Sequence, residues 1–402
     1  MYKINSLDHY GRGITKIDDK IAFIENALPD EIVEIKIEND KKKFIEGSVL
    51  KYIDKSKKRI NVECPYYNQC GGCNIMHLPY SDQLNFKQEK IENIVKKYLN
   101  KDIKINRIVG SDTNTNYRNK VTFQVKESIG FYKNKTYEII DINNCLISDK
   151  LINNSIKYLK KLNLKEISKI TCRSASSELM IIIETNNKNV DITPLKEISS
   201  SIYLKIDGKY INVFGNKFIH ETLNNLNFII SPDSFFQVNK NTCLKLYNKI
   251  KDYVGKNKNI IDLYCGTGTI GIFVSENNNV IGIEINETAI KDAMENKNIN
   301  NVKNIEFICG DSGKKLNNLN FNPDIIIVDP PRNGLNKETI DNVLKYNSKE
   351  IIYVSCDPMT LVRDLKILNK YYEIKEITPF DMFPNTYHVE CVSVLHRKNL
   401  EK

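Results

Sequence analysis

Ile260-Ile261-Asp262-Leu263-Tyr264-Cys265-Gly266-Thr267-Gly268-Thr269-Ile270-Gly271 decides how the C-terminal part of the chain is read. Residues 260–264 form a buried strand. The glycines behind it let the backbone turn sharply and come close to a ligand, and a helix opens after the turn. Working outward, the rhythm repeats: Val280-Ile281-Gly282-Ile283-Glu284, residues 305–308, Asp324-Ile325-Ile326-Ile327-Val328 and residues 351–354 are near-continuous Val/Ile runs separated by helical stretches. Such runs belong to a parallel sheet covered on both faces. The expected fold class is α/β, with a Rossmann-like domain over residues 231–402.

The loop alone leaves its ligand open. Gly266, Gly268 and Gly271 satisfy the G-x-G-x-x-G pattern of dinucleotide sites, so a nicotinamide cofactor fits it. Glu284 ends the next strand, where a carboxylate accepts from ribose hydroxyls, and Asp311 follows the third strand within reach of an adenine edge. Two later motifs decide between cofactors. Asp329-Pro330-Pro331-Arg332 ends the fourth strand and Ser355-Cys356-Asp357-Pro358 the fifth, so both look into the crevice at the carboxyl ends of the strands. A nicotinamide enzyme has no need for Asp-Pro-Pro there. A methyltransferase acting on a planar base does, because the prolines hold a rigid turn for the base to lie against.

Cys356 then points to a particular chemistry. Carbon 5 of uracil is a poor nucleophile until a thiolate adds to carbon 6. A base must afterwards remove the proton on carbon 5 so that the thiol can leave. The bland alternative, an inert buried cysteine, is the usual fate of such a residue. The crevice position and the flanking Ser355, Asp357 and Pro358 argue against it. Glu390 and His388, both in Asn385-Thr386-Tyr387-His388-Val389-Glu390-Cys391, are candidates for the base.

The remaining chain has its own signals. The 402 residues exceed one ordinary core. An apolar fraction of 41% and a charged fraction of 27% are those of a globular protein. No apolar run reaches the roughly 18 residues needed to span a bilayer. The N-terminus lacks an apolar signal region, so a cytoplasmic location with no membrane partner is expected, and a monomer. The net charge of +9 favours an anionic partner. Its densest part is Lys41, Lys42, Lys43, Lys51, Lys55, Lys57, Lys58 and Arg59. Residues 1–56 read as short strands with tight turns, a small barrel, in which residues 31–37 alternate apolar and charged. Residues 81–99 read as an amphipathic helix.

Ten cysteines in a reducing compartment point to metal binding or catalysis where they cluster. Cys64, Cys70 and Cys73 lie within ten residues with Gly71 and Gly72 between them. Zinc and an iron–sulfur cluster both need a fourth ligand, and His77 or Cys145 supplies one. The gap between Cys64 and Cys70 exceeds the usual zinc spacing, which tilts towards iron–sulfur.

Together these motifs resemble the RNA uridine-5-methyltransferase family. The segments that carry the likeness are residues 231–239 (Ser-Pro-Asp-Ser-Phe-Phe-Gln-Val-Asn), 262–271, 329–332, 355–358 and 387–390. The resemblance implies S-adenosylmethionine as cofactor, Cys356 as nucleophile and Glu390 as base. It implies cofactor contacts from Gln237, Tyr264, Thr269, Glu284, Asp311 and Asp329, although relatives often have Asn at the position of Thr269. Tyr117-Arg118-Asn119-Lys120 and Gly130-Phe131-Tyr132 match the context of the fourth cysteine in ribosomal members, which implies a [4Fe–4S] cluster on Cys64, Cys70, Cys73 and Cys145. Gly11-Arg12-Gly13-Ile14 and Ala27-Leu28-Pro29-Asp30-Glu31 resemble a TRAM domain, an RNA-binding barrel. The expected organisation is a TRAM-like barrel over 1–56, a central α+β domain with the cluster cysteines over 57–230, and the methyltransferase domain over 231–402. The expected substrate is a uridine of 23S ribosomal RNA. Transfer RNA is the alternative, and a non-catalytic RNA-binding iron–sulfur protein is the alternative of another class.

Overall fold

Strand Asn259–Leu263 lies inside an eight-stranded sheet in the computed structural model, which describes residues 1–99, 102–317 and 319–399. Parallel neighbours are Asn279–Glu284 and then Ile305–Cys309 on one side, and Ile325–Val328 and then Glu350–Ser355 on the other. Side chains alternate between two apolar cores: Ile260, Ile325 and Ile327 enter one, and Ile261, Ile326 and Val328 the other. Burial on both faces is why these runs are continuous in sequence. Strand Glu390–Arg397 inserts antiparallel between Glu350–Ser355 and Tyr372–Phe380. The chain order reverses on the two sides of Asn259–Leu263, so a crevice opens beyond its carboxyl end.

Residues 57–230, read as one block, divide their packing. Helix Tyr80–Tyr98 sends Ile91, Ile94 and Val95 into the core that holds Tyr353 and Leu361, and Lys104–Ile105 pairs with Tyr372–Phe380 as the edge strand of the sheet. The hairpin Ile219–Leu223 and Leu226–Ile230 buries Leu223 and Phe228 in the other core of the same sheet. What stands apart is a seven-stranded sheet from Lys120–Val125 to Lys209–Gly215. On its strand Glu178–Thr185, Ile181 and Ile183 pack with Ile152 and Ile156 of helix Lys150–Leu159. Met180 and Ile182 face a core of the eight-stranded sheet.

The N-terminal barrel closes through a single stretch of chain. Tyr2–Lys3 pairs with Ile32–Asp40, and Ser6–Leu7 pairs with Gly13–Ile17, so residues 2–7 serve both edges of the sheet. Strand Ile32–Asp40 is half-buried only at its start; from Lys36 onward it is exposed and carries the Lys41–Lys43 turn outward. Arg59, at the end of the basic run, is spent internally. Its guanidinium donates to both oxygens of the fully buried Glu31, at 2.5 and 2.8 Å.

Candidate active site

Tyr264 leaves the central strand with φ 62°, and Gly268 follows with φ 76°. A Cβ on Gly268 would lie 2.5 Å from the Phe307 ring, so only glycine lets the loop turn this tightly over the sheet. Over Gly266 the space is open. Glu284 accepts from the Gly266 amide at 3.1 Å and the Asn286 amide at 2.9 Å, which ties the second strand end to the loop. Asp311 caps the next helix through the Lys314 amide at 3.0 Å. The Tyr264 hydroxyl meets Thr339 Oγ1 at 3.3 Å. Thr269 opens helix Thr269–Val274, and its hydroxyl is shared with that of Tyr247 at 2.9 Å, so it is partly engaged already. Beneath the loop both oxygens of buried Asp262 lack a partner among the described residues, and burial pushes its carboxyl up to about 8. An orphaned buried carboxyl, open space over glycine and a carboxylate at the next strand end suit a nucleoside with a cationic tail.

Gln237 is buried on a loop anchored from two other elements. Asp292 accepts from the hydroxyls of Ser231, at 2.6 Å, and Ser234. Arg173, from the middle sheet, donates to the carbonyls of Ser231 and Ser234 at 3.2 and 2.6 Å.

At the reacting end, Ser355 pairs with Cys391, so Cys356, the first residue past its strand, comes near Glu390 at the start of the neighbouring strand. Burial pushes the Cys356 thiol up to about 12, and the charges of Glu390 and Asp329 add to this while Arg332 opposes it. Burial and the nearby Asp329 hold Glu390 well above the carboxylate range, and burial raises Asp329 as well. Arg332 therefore acts as counter-charge to a thiol and a carboxyl pair, a role the sequence reading passed over although it quoted the residue. His388 is pushed down to about 4 by burial and by Arg332 and the lysines around it. Its ring lies 4.3 Å from that of Tyr387, and it lines a cavity of about 650 Å³ with Arg332 and Phe383.

Helix Tyr80–Tyr98 braces this wall. Lys87 donates to Asp381 at 2.5 Å, with both side chains fully buried, and to the Phe383 carbonyl at 3.0 Å. Lys90 donates to the Tyr387 carbonyl at 2.9 Å, and Gln83 exchanges two hydrogen bonds with Asn385. In sequence these residues look like the solvated face of an amphipathic helix. Only their burial marks them as structural.

The same cavity is lined at its far end by Cys64, Cys70, Cys73 and Cys145, all free thiols. Burial raises Cys64, Cys70 and Cys73, and each is raised further by Cys145. Among the described residues no three His, Cys, Asp or Glu side chains are grouped closely enough to hold a single ion. His77 is engaged through one ring nitrogen, and its buried Nε2 has no partner among the described residues. It is buried with Nδ1 against the Tyr67 hydroxyl and does not line the cavity. Of the other cysteines, Cys172, Cys243, Cys265 and Cys391 are buried, while Cys309 is exposed.

A strand order that reverses at a glycine loop, with a carboxylate at the next strand end, is the architecture of an S-adenosylmethionine-dependent methyltransferase. Comparison with known proteins narrows the class. Residues 79–398 match the family model described as tRNA (Uracil-5-)-methyltransferase, and residues 3–50 match the TRAM domain. The chain is 35% identical to an uncharacterized RNA methyltransferase of Clostridium acetobutylicum, over 98% of this chain and 96% of that protein. It is 36% identical to another from Caldanaerobacter subterraneus subsp. tengcongensis, over 98% and 97%. It superposes on the crystal structure of Pyrococcus abyssi tRNA (uracil-54, C5)-methyltransferase in complex with S-adenosyl-L-homocysteine. The TM-score is 0.82 at 30% identity, over 98% of this chain and 100% of that one. The chain belongs to the RNA uridine-5-methyltransferase family, in the form that carries a TRAM domain.

Proposed function

We propose that this enzyme methylates carbon 5 of a uridine in 23S ribosomal RNA, with Cys356 as nucleophile and Glu390 as proton acceptor. The observation that carries the reading is the pairing of strands that sets Cys356 beside Glu390, with Arg332 and Asp329 around them. Bound S-adenosylmethionine supplies an electrophilic methyl group, held by Gln237, Tyr264, Thr269, Glu284, Asp311 and Asp329. The Cys356 thiolate adds to carbon 6 of the uracil, and the electrons of the double bond move towards the carbonyl oxygen. Carbon 5, made nucleophilic by that addition, takes the methyl group as the methyl carbon–sulfonium bond breaks, its electron pair staying on sulfur to leave the neutral thioether S-adenosylhomocysteine. Glu390 takes the proton left on carbon 5, the double bond returns, and the bond from carbon 6 to sulfur breaks to free the thiolate. Glu390 suits this role better than His388 because its charge, and not that of His388, is among those acting on Cys356.

The four cysteines at one end of the cavity are the proposed ligands of a [4Fe–4S] cluster. An all-cysteine set agrees with their shared cavity, which His77 does not line. The cluster is a structural element in this proposal, and the enzyme works as a cytoplasmic monomer. Transfer RNA is the second reading, favoured by the name of the Pyrococcus abyssi enzyme. That match includes the barrel, so the barrel does not separate the two targets. Mass mapping of 5-methyluridine in ribosomal and transfer RNA, with and without the gene, does. Loss from 23S RNA alone supports the proposal, and loss from transfer RNA alone replaces it with the second reading. For the chemistry, 5-fluorouridine RNA should trap wild-type protein covalently and Cys356→Ala not at all. A trapped adduct with the alanine variant would place the nucleophile elsewhere.

A further inference from the structure

A row of aromatic rings runs from the catalytic loop to the barrel. Phe383 lies edge-on to His388 at 5.8 Å, His388 lies against Tyr387 at 4.3 Å, and Tyr387 meets Tyr10 of the barrel at 5.2 Å and 89°. The row touches two cavities. His388, with Arg332 and Thr386, lines the larger one, which shares the wall of Cys70, Gly71 and Cys73 with the smaller. Tyr387 and Tyr10 line a second cavity of about 450 Å³ between the barrel and the cysteine loop. That volume is within the roughly 300–1,000 Å³ of sites that take small planar ligands.

The chemistry of the second cavity suits a base better than a phosphate. Its charges are already paired within the protein. Arg12 bonds Asp8 at 2.8 Å and Glu46 at 3.0 Å, and Lys135 bonds Glu25 at 2.7 Å. What its walls offer are aromatic faces and the neutral amides of Asn26, Asn68 and Asn74. Tyr10 is 54% exposed although it sits on a structured turn. Cations lie over the rings: Arg12, itself a lining residue, is 5.3 Å from the Tyr10 ring and Lys90 is 5.1 Å from that of Tyr387. Rings of this kind, exposed and flanked by cations, are the usual platform for unstacked bases of single-stranded nucleic acid.

We propose that the second cavity takes the base of a nucleotide next to the target uridine, stacked on Tyr10 and edge-on to Tyr387. The two bases then splay to opposite sides of the Tyr387–His388 wall. This rests on the uridine-methylating reading and adds a demand to it, namely that the RNA is unpaired on at least one side of the target. It also gives the barrel a defined task, because Tyr10 is the barrel's contribution to a pocket that the methyltransferase domain only half encloses.

The test uses full-length protein and a short single-stranded RNA with one uridine flanked by 2-aminopurine. Wild-type protein should quench the 2-aminopurine on one side of the uridine. Tyr10→Ala and Tyr387→Ala should each weaken RNA binding by roughly 5- to 150-fold, the range for loss of one stacked base, and should abolish the quench. Tyr10→Phe should restore both, since the ring face is kept. S-adenosylmethionine binding by calorimetry checks that each variant is folded. Undiminished RNA binding and quenching in Tyr10→Ala would overturn the proposal while leaving the methylation reading intact. Failure of wild-type protein to form any adduct with 5-fluorouridine RNA would bring down that reading instead.

Discussion

The reacting end of the crevice and the cysteine end of the large cavity both hold thiols whose pKa is raised, and they differ in what surrounds them. Cys356 stands alone, raised by burial and by the carboxylates of Glu390, Asp329 and Asp357, with Arg332 as a built-in opposing charge. Cys64, Cys70 and Cys73 are raised by burial and by other thiols, opposed by backbone amides beside Cys64 and Cys70 and by Arg118 near Cys73. A lone thiol pushed up to about 12 reacts as thiolate at neutral pH only under a strong further positive influence. Mutually repelling thiols ionise together only when a metal centre joins them, and binding then releases their protons. The first arrangement is suited to a reversible bond with substrate, the second to permanent ligation.

The sharpest way to break this contrast is to exchange losses between the two ends. Cys356→Ala should abolish 5-methyluridine formation while iron and sulfide content stay at the wild-type level. Cys73→Ala should lose most of the iron, measured on protein purified without air. A Cys356 variant that lost iron would show that the two ends are not separate. Next in size is the buried brace between them. Lys87→Met leaves Asp381 buried without its partner and should cost about 3–5 kcal/mol, read from urea unfolding. A value near zero would mean that the wall carrying Tyr387 and His388 is held by other contacts. Asp292→Ala removes the acceptor of Ser231 and Ser234 and should cost about 1–3 kcal/mol. It should also raise KM for S-adenosylmethionine more than it lowers kcat, because Gln237 is on the freed loop. The smallest effect is kinetic. With its thiol pushed up to about 12, Cys356 should be alkylated by iodoacetamide faster as pH rises, roughly tenfold per unit below that value. A rate that is flat with pH would show that Arg332 outweighs burial and the three carboxylates around the thiol.

Much of the fold is legible in the residues. The parallel strands appear within a residue or two of where the Val/Ile runs place them, because burial on both faces leaves an uninterrupted apolar signature. The antiparallel strand Glu390–Arg397 gives no such warning at its start. Glu390 reads as an ordinary exposed glutamate, and only the sheet shows it buried beside Cys356. Helix Tyr80–Tyr98 is plain from its periodicity, yet Gln83, Lys87 and Lys90 look like a solvent face until the 381–390 loop is seen folded over them. Ion pairs and hydrogen bonds between residues nearly three hundred positions apart leave no local pattern.

The sequence by itself determined where the chain's short motifs lie and which chemistry they could carry: the glycine loop, the cysteine of Ser355-Cys356-Asp357-Pro358 and the cysteine group at 64–73. Spacing and residue type are local, and local chemistry survives in one dimension. Only the tertiary structure decided which distant groups act on one another. It set Glu390 and Arg332 on Cys356, turned His77 from the cysteines, placed Arg59 inside on Glu31, and brought Tyr10 of the barrel against Tyr387 of the catalytic loop. Charge interaction and ring stacking depend on distance through space, and the chain closes those distances only when it folds.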